Sequence, residues 1–461
     1  SQQEFSKTCA SSFGPITTKQ LLLLTMSNAV HVFTSAALNY IPKVRMLFNS
    51  LRLHHPDWKL HLLLADHLPD DLDTSQEPFD TITPISDLNI DDWKGWAFCH
   101  TITELATAIK PWMLEKLLLE SNDGDKVIYL DPDTVVFSPL PDILEALDEA
   151  SIVLTPHQTI PEEGLAAVID NEICSLKHGI YNLGFIAVSN TPSGRAFARW
   201  WAERTYYFCR DDIPNGLFTD QRWIDLVPAF FPGVAIMRSS RHNVATWNIT
   251  TRELTKSQHG PILVDGEPLG FYHFTGFDSG AHRIMACKNG GDNPALHELV
   301  SWYSDQIRPL ANDPLTHRAW AFGIFDSGTK ITREQRLVYR FRRDLQTTYP
   351  DPFIDGGYEQ WWDMKAKSEY PKLFQKSTKA EALITLTTPL SPGFLGSKPQ
   401  GSGKIQAAHL LRQALLNPRT GLQLGRRAWE VLRQEGLGGV KVRLTTIANP
   451  TYGNTTTRLQ D

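Results

Sequence analysis

The chain has 461 residues, 41% of them apolar and 21% charged, with a formal net charge of −6. That balance suits two to three globular units with useful cores and gives no reason to expect a nucleic-acid partner. Five cysteines, Cys9, Cys99, Cys174, Cys209 and Cys287, are widely spaced with no Cys-x-x-Cys, which argues against a zinc site or disulfide framework and for a reducing compartment.

Residues 1–28 read as an irregular lead-in. Their apolar run, Leu21 to Leu24, is far too short to cross a bilayer and lacks the flanks of a signal peptide. The expectation is a soluble, cytoplasmic chain. His31 to Ser35 predicts a first strand, Ile41 to Leu53 a helix, and Lys59 to Ala65 a second strand. Thr103 to Glu120 predicts one long helix, with Leu105, Ile109, Met113, Leu114 and Leu117 on its apolar face. Val127 to Leu130 is a short apolar run that predicts a buried strand, followed by a helix near Ile143 to Leu147 and a strand over Ser151 to Thr155. Phe185 to Val188 predicts a strand, Ser193 to Tyr207 an aromatic-rich helix, and Ile262 to Val264 and Gly270 to Thr275 further strands. A helix over Leu296 to Ile307 closes a first domain, 29–310. Strand–helix alternation of this kind predicts an α/β fold with a largely parallel sheet, whose ligands bind at the carboxyl ends of the strands.

A helical accessory module is expected over 311–375. Thr332 to Gln335 has capping-box spacing and opens a helix bearing Arg333, Arg336, Arg340, Arg342 and Arg343, a run that suits a solvated face or phosphate contact. Residues 376–405 read as a linker, rich in Gly, Ser and Pro from Pro389 onward. Gly401-Ser402-Gly403-Lys404 is set aside as a P-loop, because Ile405 follows it and the first Gly is missing. Residues 406–461 read as a basic helical tail. Lys404 to Arg443 holds eight Lys/Arg against two Glu, which suits either peripheral contact with the inner face of a membrane or docking on protein.

Chemistry concentrates at Asp131-Pro132-Asp133. Two carboxylates one residue apart, at the mouth of a buried strand, can converge on Mg²⁺ or Mn²⁺, and the cation can hold a diphosphate. The string Asp131 to Val135 also fits haloacid-dehalogenase-like phosphatases, with Asp131 as nucleophile and Gly291-Asp292-Asn293 as a distal acidic motif. That fold places its nucleophile on the first strand, whereas two strands precede Asp131 here. A nucleotidyltransferase would need a Gly-rich basic loop, and Ser27 to Asn39 has none. A non-catalytic glycan-binding module is the remaining alternative.

Four further segments complete the pattern. They are Lys110 on the helix leading back to the acidic motif, Asn182-Leu183-Gly184 before a strand, Asp220-Gln221 at a helix start, and His273-Phe274-Thr275-Gly276 at a strand end. With the Thr34-Ser35 strand tip, their order resembles nucleotide-sugar glycosyltransferases of the GT-A (Rossmann-like) fold. Glycosyltransferase family 8 and its bacterial surface-polysaccharide relatives resemble it most, over roughly residues 29 to 285.

The resemblance implies a sugar moved from a nucleotide-sugar donor, UDP-sugar favoured, to a glycan or lipid-linked glycan acceptor. It implies Asp131, Asp133 and His273 as ligands of Mn²⁺ or Mg²⁺. Thr34, Ser35, Asn39, Tyr40, Lys110, Asp131, Asp133, Asn182, Gly184 and Asn248 are expected to face the donor. Asp220 and Gln221 are expected at the reacting centre, stabilising the sugar cation if anomeric configuration is retained, whereas inversion would need a carboxylate base. Asn243 is expected to face sugar or acceptor. Lys110 stands where that family more often has Arg, and Phe277-Asp278-Ser279 stands where Lys-Pro-Trp often follows the His segment.

Overall fold

The computed structural model describes residues 28–256 and 260–387. The lead-in before residue 28, the greater part of the expected linker and the basic tail lie outside the described residues, as does Cys9.

In chain order the strands are Val30–Ala36 (β1), Lys59–Leu64 (β2), Thr81–Pro84 (β3), Lys126–Leu130 (β4), Thr134–Val136 (β5), Ile152–Pro156 (β6), Tyr181–Ser189 (β7), Arg210–Asp212 (β8), Leu217–Thr219 (β9), Val234–Ile236 (β10), Leu254–Lys256 (β11), Ile262–Val264 (β12), Glu267–Pro268 (β13) and Phe271–His273 (β14). Seven of them form one sheet in the order β10-β6-β7-β4-β1-β2-β3. Neighbours run parallel except at β7, which is antiparallel to both β4 and β6. The expected α/β fold with a largely parallel sheet is what the chain adopts.

Successive strand residues face opposite sides, and each side has its own core. Val32, Leu62, Ile128, Leu130, Val153 and Phe185 pack on one face with Ile41, Val44, Leu47, Phe48 and Ile143. Phe33, Leu63, Val127, Tyr129, Leu154 and Ile186 pack on the other with Met113, Leu114, Phe197 and Trp201. A strand buried on both faces is apolar throughout, which is why these runs do not alternate with polar residues.

Three expectations change. The helix predicted over Thr103 to Glu120 is two helices, Ile102–Ala108 and Lys110–Glu120. Pro111 has no N–H to offer Thr107, and its ring crowds that carbonyl, so the first helix stops and a second starts at Lys110. Strand β7 begins at Tyr181, so Asn182 and Gly184 lie within it rather than before it.

The third change concerns the region after residue 310. Phe322, Phe325, Ile331, Val338 and Tyr339 share one core with Phe98 and Leu105, so 311–375 has no separate core. Phe325, Tyr339, Phe353 and Tyr358 surround the Phe98 ring at centroid distances of 5.0–5.8 Å. The Thr332 capping box forms in full and opens the helix Arg333–Phe341. The helix Lys379–Thr387 occupies the start of the expected linker, with Lys379 paired to Glu334 at 2.8 Å. Among the described residues no helix is long and apolar enough to cross a membrane.

Candidate active site

The site forms where β1 and β4 end side by side. Their register pairs Phe33 with Tyr129, which sets Thr34-Ser35 beside Leu130-Asp131. The sheet branches to opposite sides from this pair, so a crevice opens at their carboxyl ends. After β4 the chain makes a turn closed by Thr134 N–H to the Asp131 carbonyl at 3.0 Å. Pro132 occupies the second turn position, where its fixed φ is suited. The segment is thus a turn, not the extended run that alternation would suggest, and it still brings both carboxylates together.

β5 then pairs antiparallel with β14, setting His273 opposite Thr134, and Phe274 N–H donates to the Asp133 carbonyl at 2.9 Å. His273 Nε2 lies 3.1 Å from Asp133 Oδ1 and 3.6 Å from Asp131 Oδ2. One ligand atom from each of the three residues falls within 4.8 Å of the others. Two carboxylate oxygens and an imidazole nitrogen form a donor set that could hold a divalent cation.

A chain of hydrogen bonds fixes the imidazole. His273 Nδ1 is 3.3 Å from Asn182 Oδ1, which also accepts from Gly184 N–H at 3.1 Å. The Asn182 amide is oriented from its other end, where Nδ2 faces His157 Nε2 at 3.2 Å. His157 is neutral, its pKa pushed down to about 4 by burial, and its Nδ1 faces the Ile180 carbonyl at 3.3 Å. In this arrangement Nδ1 of His273 donates to Asn182 and Nε2 is the nitrogen that faces the carboxylates, the one a cation between them would engage. Gly184 makes room for the ring: a Cβ there would sit 2.4 Å from His273 Cε1.

Without a cation the cluster is held by its own charges. Burial pulls the His273 pKa down, but Asp133 and Asp131 together outweigh it and the pKa is raised. Burial likewise pushes Asp133 up, and His273 reverses that to a net lowering.

Lys110 is the second anchor. Its ammonium is buried, 3.2 Å from Asp131 Oδ1, 3.4 Å from Asp220 Oδ2, 3.3 Å from the Leu183 carbonyl and 4.3 Å from the Tyr129 ring centroid. Burial acts to lower its pKa; Asp131 and Asp220 more than offset this and raise it. The Tyr129 hydroxyl donates to Asp131, and its pKa is raised by burial first and by Asp131 second. Burial also raises the Asp220 pKa, against the pull of Lys110.

The other expected residues divide. Gln221 Oε1 accepts from Leu183 N–H at 2.8 Å and its Nε2 donates to the His178 carbonyl at 3.0 Å, so it braces the start of β7 beside Asn182. Thr34 is fully buried and its hydroxyl has no partner among the described residues. Ser35 instead turns its hydroxyl to the Ala106 carbonyl at 2.7 Å. Tyr40 donates to Asp278 at 2.7 Å, and Lys43 also pairs with Asp278. Asn39 is half-buried in the short turn after β1.

Asn248 is not at the centre. Its amide bonds Ala245 N–H, the His157 carbonyl and the Asn243 carbonyl at 3.0–3.1 Å, closing the loop one layer behind His273. Asn243 is different: it is fully buried, has φ +49° and leaves both amide atoms without a partner among the described residues. Asp292, the distal acid of the phosphatase alternative, is exposed beside the start of the helix Pro294–Ile307 and does not join the cluster.

Residues that the sequence did not single out also build this centre. They are Tyr129, Lys43, His157 and Trp247, whose ring meets His273 edge-on at 5.5 Å. Tyr129 lies two residues before Asp131 on an extended strand, the one spacing that pointed to it.

No family model matches the chain. Two uncharacterised proteins of Bacillus subtilis strain 168 are similar to it. YfnD is 26% identical over 251 residues, 54% of this chain and 78% of that protein. YfnF is 27% identical over 217 residues, 47% of this chain and 68% of that protein. Among solved structures, the galactosyltransferase LgtC with donor and acceptor sugar analogs is 18% identical, with 59% of this chain and 95% of that chain aligned and a TM-score of 0.36. The glycosyltransferase GlyE of Streptococcus pneumoniae TIGR4 is 16% identical, with 69% and 61% aligned and a TM-score of 0.32. Mouse xyloside xylosyltransferase 1 is 12% identical, with 54% and 99% aligned and a TM-score of 0.33. The functional reading therefore rests on the site itself.

Proposed function

We propose that this chain is a metal-dependent glycosyltransferase of the GT-A type, acting on a nucleotide-sugar. The observation that carries the reading is the convergence of Asp131, Asp133 and a tautomer-fixed His273 at the end of β4, with Lys110 buried beside them. Hard oxygen ligands and a fixed cation beside an open crevice are what a leaving diphosphate needs.

On this reading Asp131, Asp133 and His273 hold Mn²⁺ or Mg²⁺, which supplies Lewis-acid stabilisation of the diphosphate when bound. Lys110 adds a positive charge whose position is set by Asp131 and Asp220. Thr34, Asn39 and Tyr40 line the nucleoside side of the crevice. The unpartnered amide of Asn243 is available for a sugar hydroxyl, since a buried amide with no bond is costly to the empty protein. Asp131 and Asp133 are committed to the cation and Asp220 to Lys110, so none of the three is free to deprotonate an incoming hydroxyl. That favours retention, with Asp220 and Gln221 flanking an oxocarbenium-like centre.

The donor is taken as a UDP-sugar and the acceptor as a glycan or lipid-linked glycan of a bacterial surface polysaccharide. The basic tail is taken as a peripheral contact at the inner face of the membrane. Co-sedimentation with anionic but not neutral liposomes tests the tail.

The test of the main reading is a panel of UDP- and GDP-sugars with Mn²⁺, read by calorimetry and by donor hydrolysis. One donor is expected to bind only with the cation. Asp131→Ala and Asp133→Ala are each expected to abolish that binding. A panel in which nothing binds, or variants that bind and turn over as the parent does, would remove the proposal.

A further inference from the structure

Beside the elements that build this crevice, the helix Arg333–Phe341 packs near β8 and leaves a small cleft with a cavity volume of about 30 Å³. Four arginines line it, Arg210, Arg333, Arg336 and Arg340, together with Glu104, Asp211 and Asp212. Two of the acids already have hydrogen-bond partners. Glu104 accepts from Thr101 N–H, Asp211 N–H and Arg340 at 2.9–3.1 Å. Asp212 accepts from the Asn215 amide with both oxygens at 2.8 Å. Asp211 is exposed.

Two of the arginines are also satisfied. Arg336 donates to the Phe98 and Phe322 carbonyls at 2.9 and 2.6 Å. Arg340 donates to Glu104 and to the Cys99 carbonyl. Arg210 is not satisfied. It is 6% exposed, its Nε is unpartnered, and among the described residues it forms no ion pair. Its guanidinium lies between the Phe208 and Phe341 rings, 5.8 and 5.6 Å from their centroids. Its buried Nε has lost water without gaining an acceptor, and Asp212 and Glu104 act on the guanidinium only from a distance, without pairing with it. Arg333, exposed in the first turn of its helix beside Glu334, brings a second guanidinium to the same cleft.

We propose that this cleft is a binding site for a phosphate-class oxyanion, with Arg210 as its central donor and Arg333 closing its open side. A tetrahedral anion offers acceptors in several directions at once, which suits donors arriving from β8 and from a helix start. None of the cleft's lining residues belongs to the proposed donor crevice, although Arg210 pairs across β8 and β9 with Thr219, next to Asp220, and the inference does not rest on that reading.

The test uses the full chain in EDTA, so that the acidic cluster cannot retain phosphate through a cation. Inorganic phosphate is titrated by calorimetry against a chloride control of equal ionic strength. In a second arm, vesicles of phosphatidic acid and of phosphatidylcholine are compared by co-sedimentation. Saturable binding of phosphate identifies a free anion; binding of phosphatidic acid vesicles alone identifies a lipid headgroup in the cleft when Arg210→Gln weakens it, and contact through the basic tail when it does not. For a ligand in the cleft, Arg210→Gln is expected to weaken binding at least tenfold, the loss typical of a charge-assisted bond. Arg333→Gln, at an exposed position that does not threaten folding, is expected to weaken it severalfold. Metal-dependent binding of a nucleotide-sugar is expected to survive in both variants. No binding in either arm, or binding that both variants retain in full, overturns the site.

Discussion

Gly184→Ala tests whether the placement of His273 is what makes the acidic turn a metal site. The added Cβ would lie 2.4 Å from His273 Cε1, 2.5 Å from its Nδ1 and 2.7 Å from Asn182 Oδ1. An ordinary contact starts at 3.4 Å, so the ring must retreat by about 1 Å. A metal ligand tolerates a displacement of only about 0.2 Å. Retreat is also blocked, because Trp247 stands edge-on to the ring at 5.5 Å. The backbone at Gly184 is ordinary strand, so the effect is steric alone. Overpacking is expected to cost about 1–3 kcal/mol of stability. Mn²⁺ affinity, measured by calorimetry or by the free-ion electron paramagnetic resonance signal, is expected to fall about 10–100-fold. If the loss runs through His273, Gly184→Ala adds nothing to His273→Ala in a double-mutant cycle. Wild-type Mn²⁺ affinity in Gly184→Ala, or additive losses in the cycle, would refute the reasoning.

Three other outcomes follow from the same geometry. Lys110→Met leaves Asp131 and Asp220 without the ammonium they share, and urea unfolding should show a loss of about 3–5 kcal/mol; an unchanged midpoint would mean the ammonium is not needed there. Glu104 has its pKa lowered to about 2; burial opposes this shift and Arg340 leads the forces that produce it. Because the folded pKa is depressed below the ordinary 4.5, its stabilisation of about 3 kcal/mol is full above pH 4.5 and is lost as pH falls through about 2. Glu104→Gln should therefore flatten the acid limb of stability against pH, and a limb as steep as the parent's would contradict the pairing. Asn248→Ala removes three loop-closing bonds and should cost about 2–3 kcal/mol, while donor affinity stays within about threefold; a selective loss of donor affinity at unchanged stability would return Asn248 to the centre.

Much of the scaffold was legible because its signals are local. Apolar runs long enough for buried strands, a Thr332 capping box and an acidic pair after a strand are all properties of a few neighbouring residues. The split at Pro111 was also written locally, and the apolar periodicity that continues through it concealed the break. Asn248 is a different case. The family resemblance set it beside the donor, and only the tertiary structure shows its amide engaged in three bonds within its own loop and to His157. The arginine-bearing helix offered a solvated face or phosphate contact, but burial of Arg336 and Arg340 against Phe98, Phe322 and Cys99 depends on a core shared with residues far upstream.

By itself, then, the sequence determined the alternating sheet and the residue types of the centre: two carboxylates, a lysine, an amide and a histidine. Periodicity and side-chain chemistry act over short stretches, and no partner is needed to read them. The tertiary structure decided which imidazole nitrogen faces the carboxylates, why position 184 must lack a side chain, and which arginine is left without an anion. Those depend on contacts between β4, β7 and β14, or between β8 and a late helix, and such distances are set only when distant segments pack together.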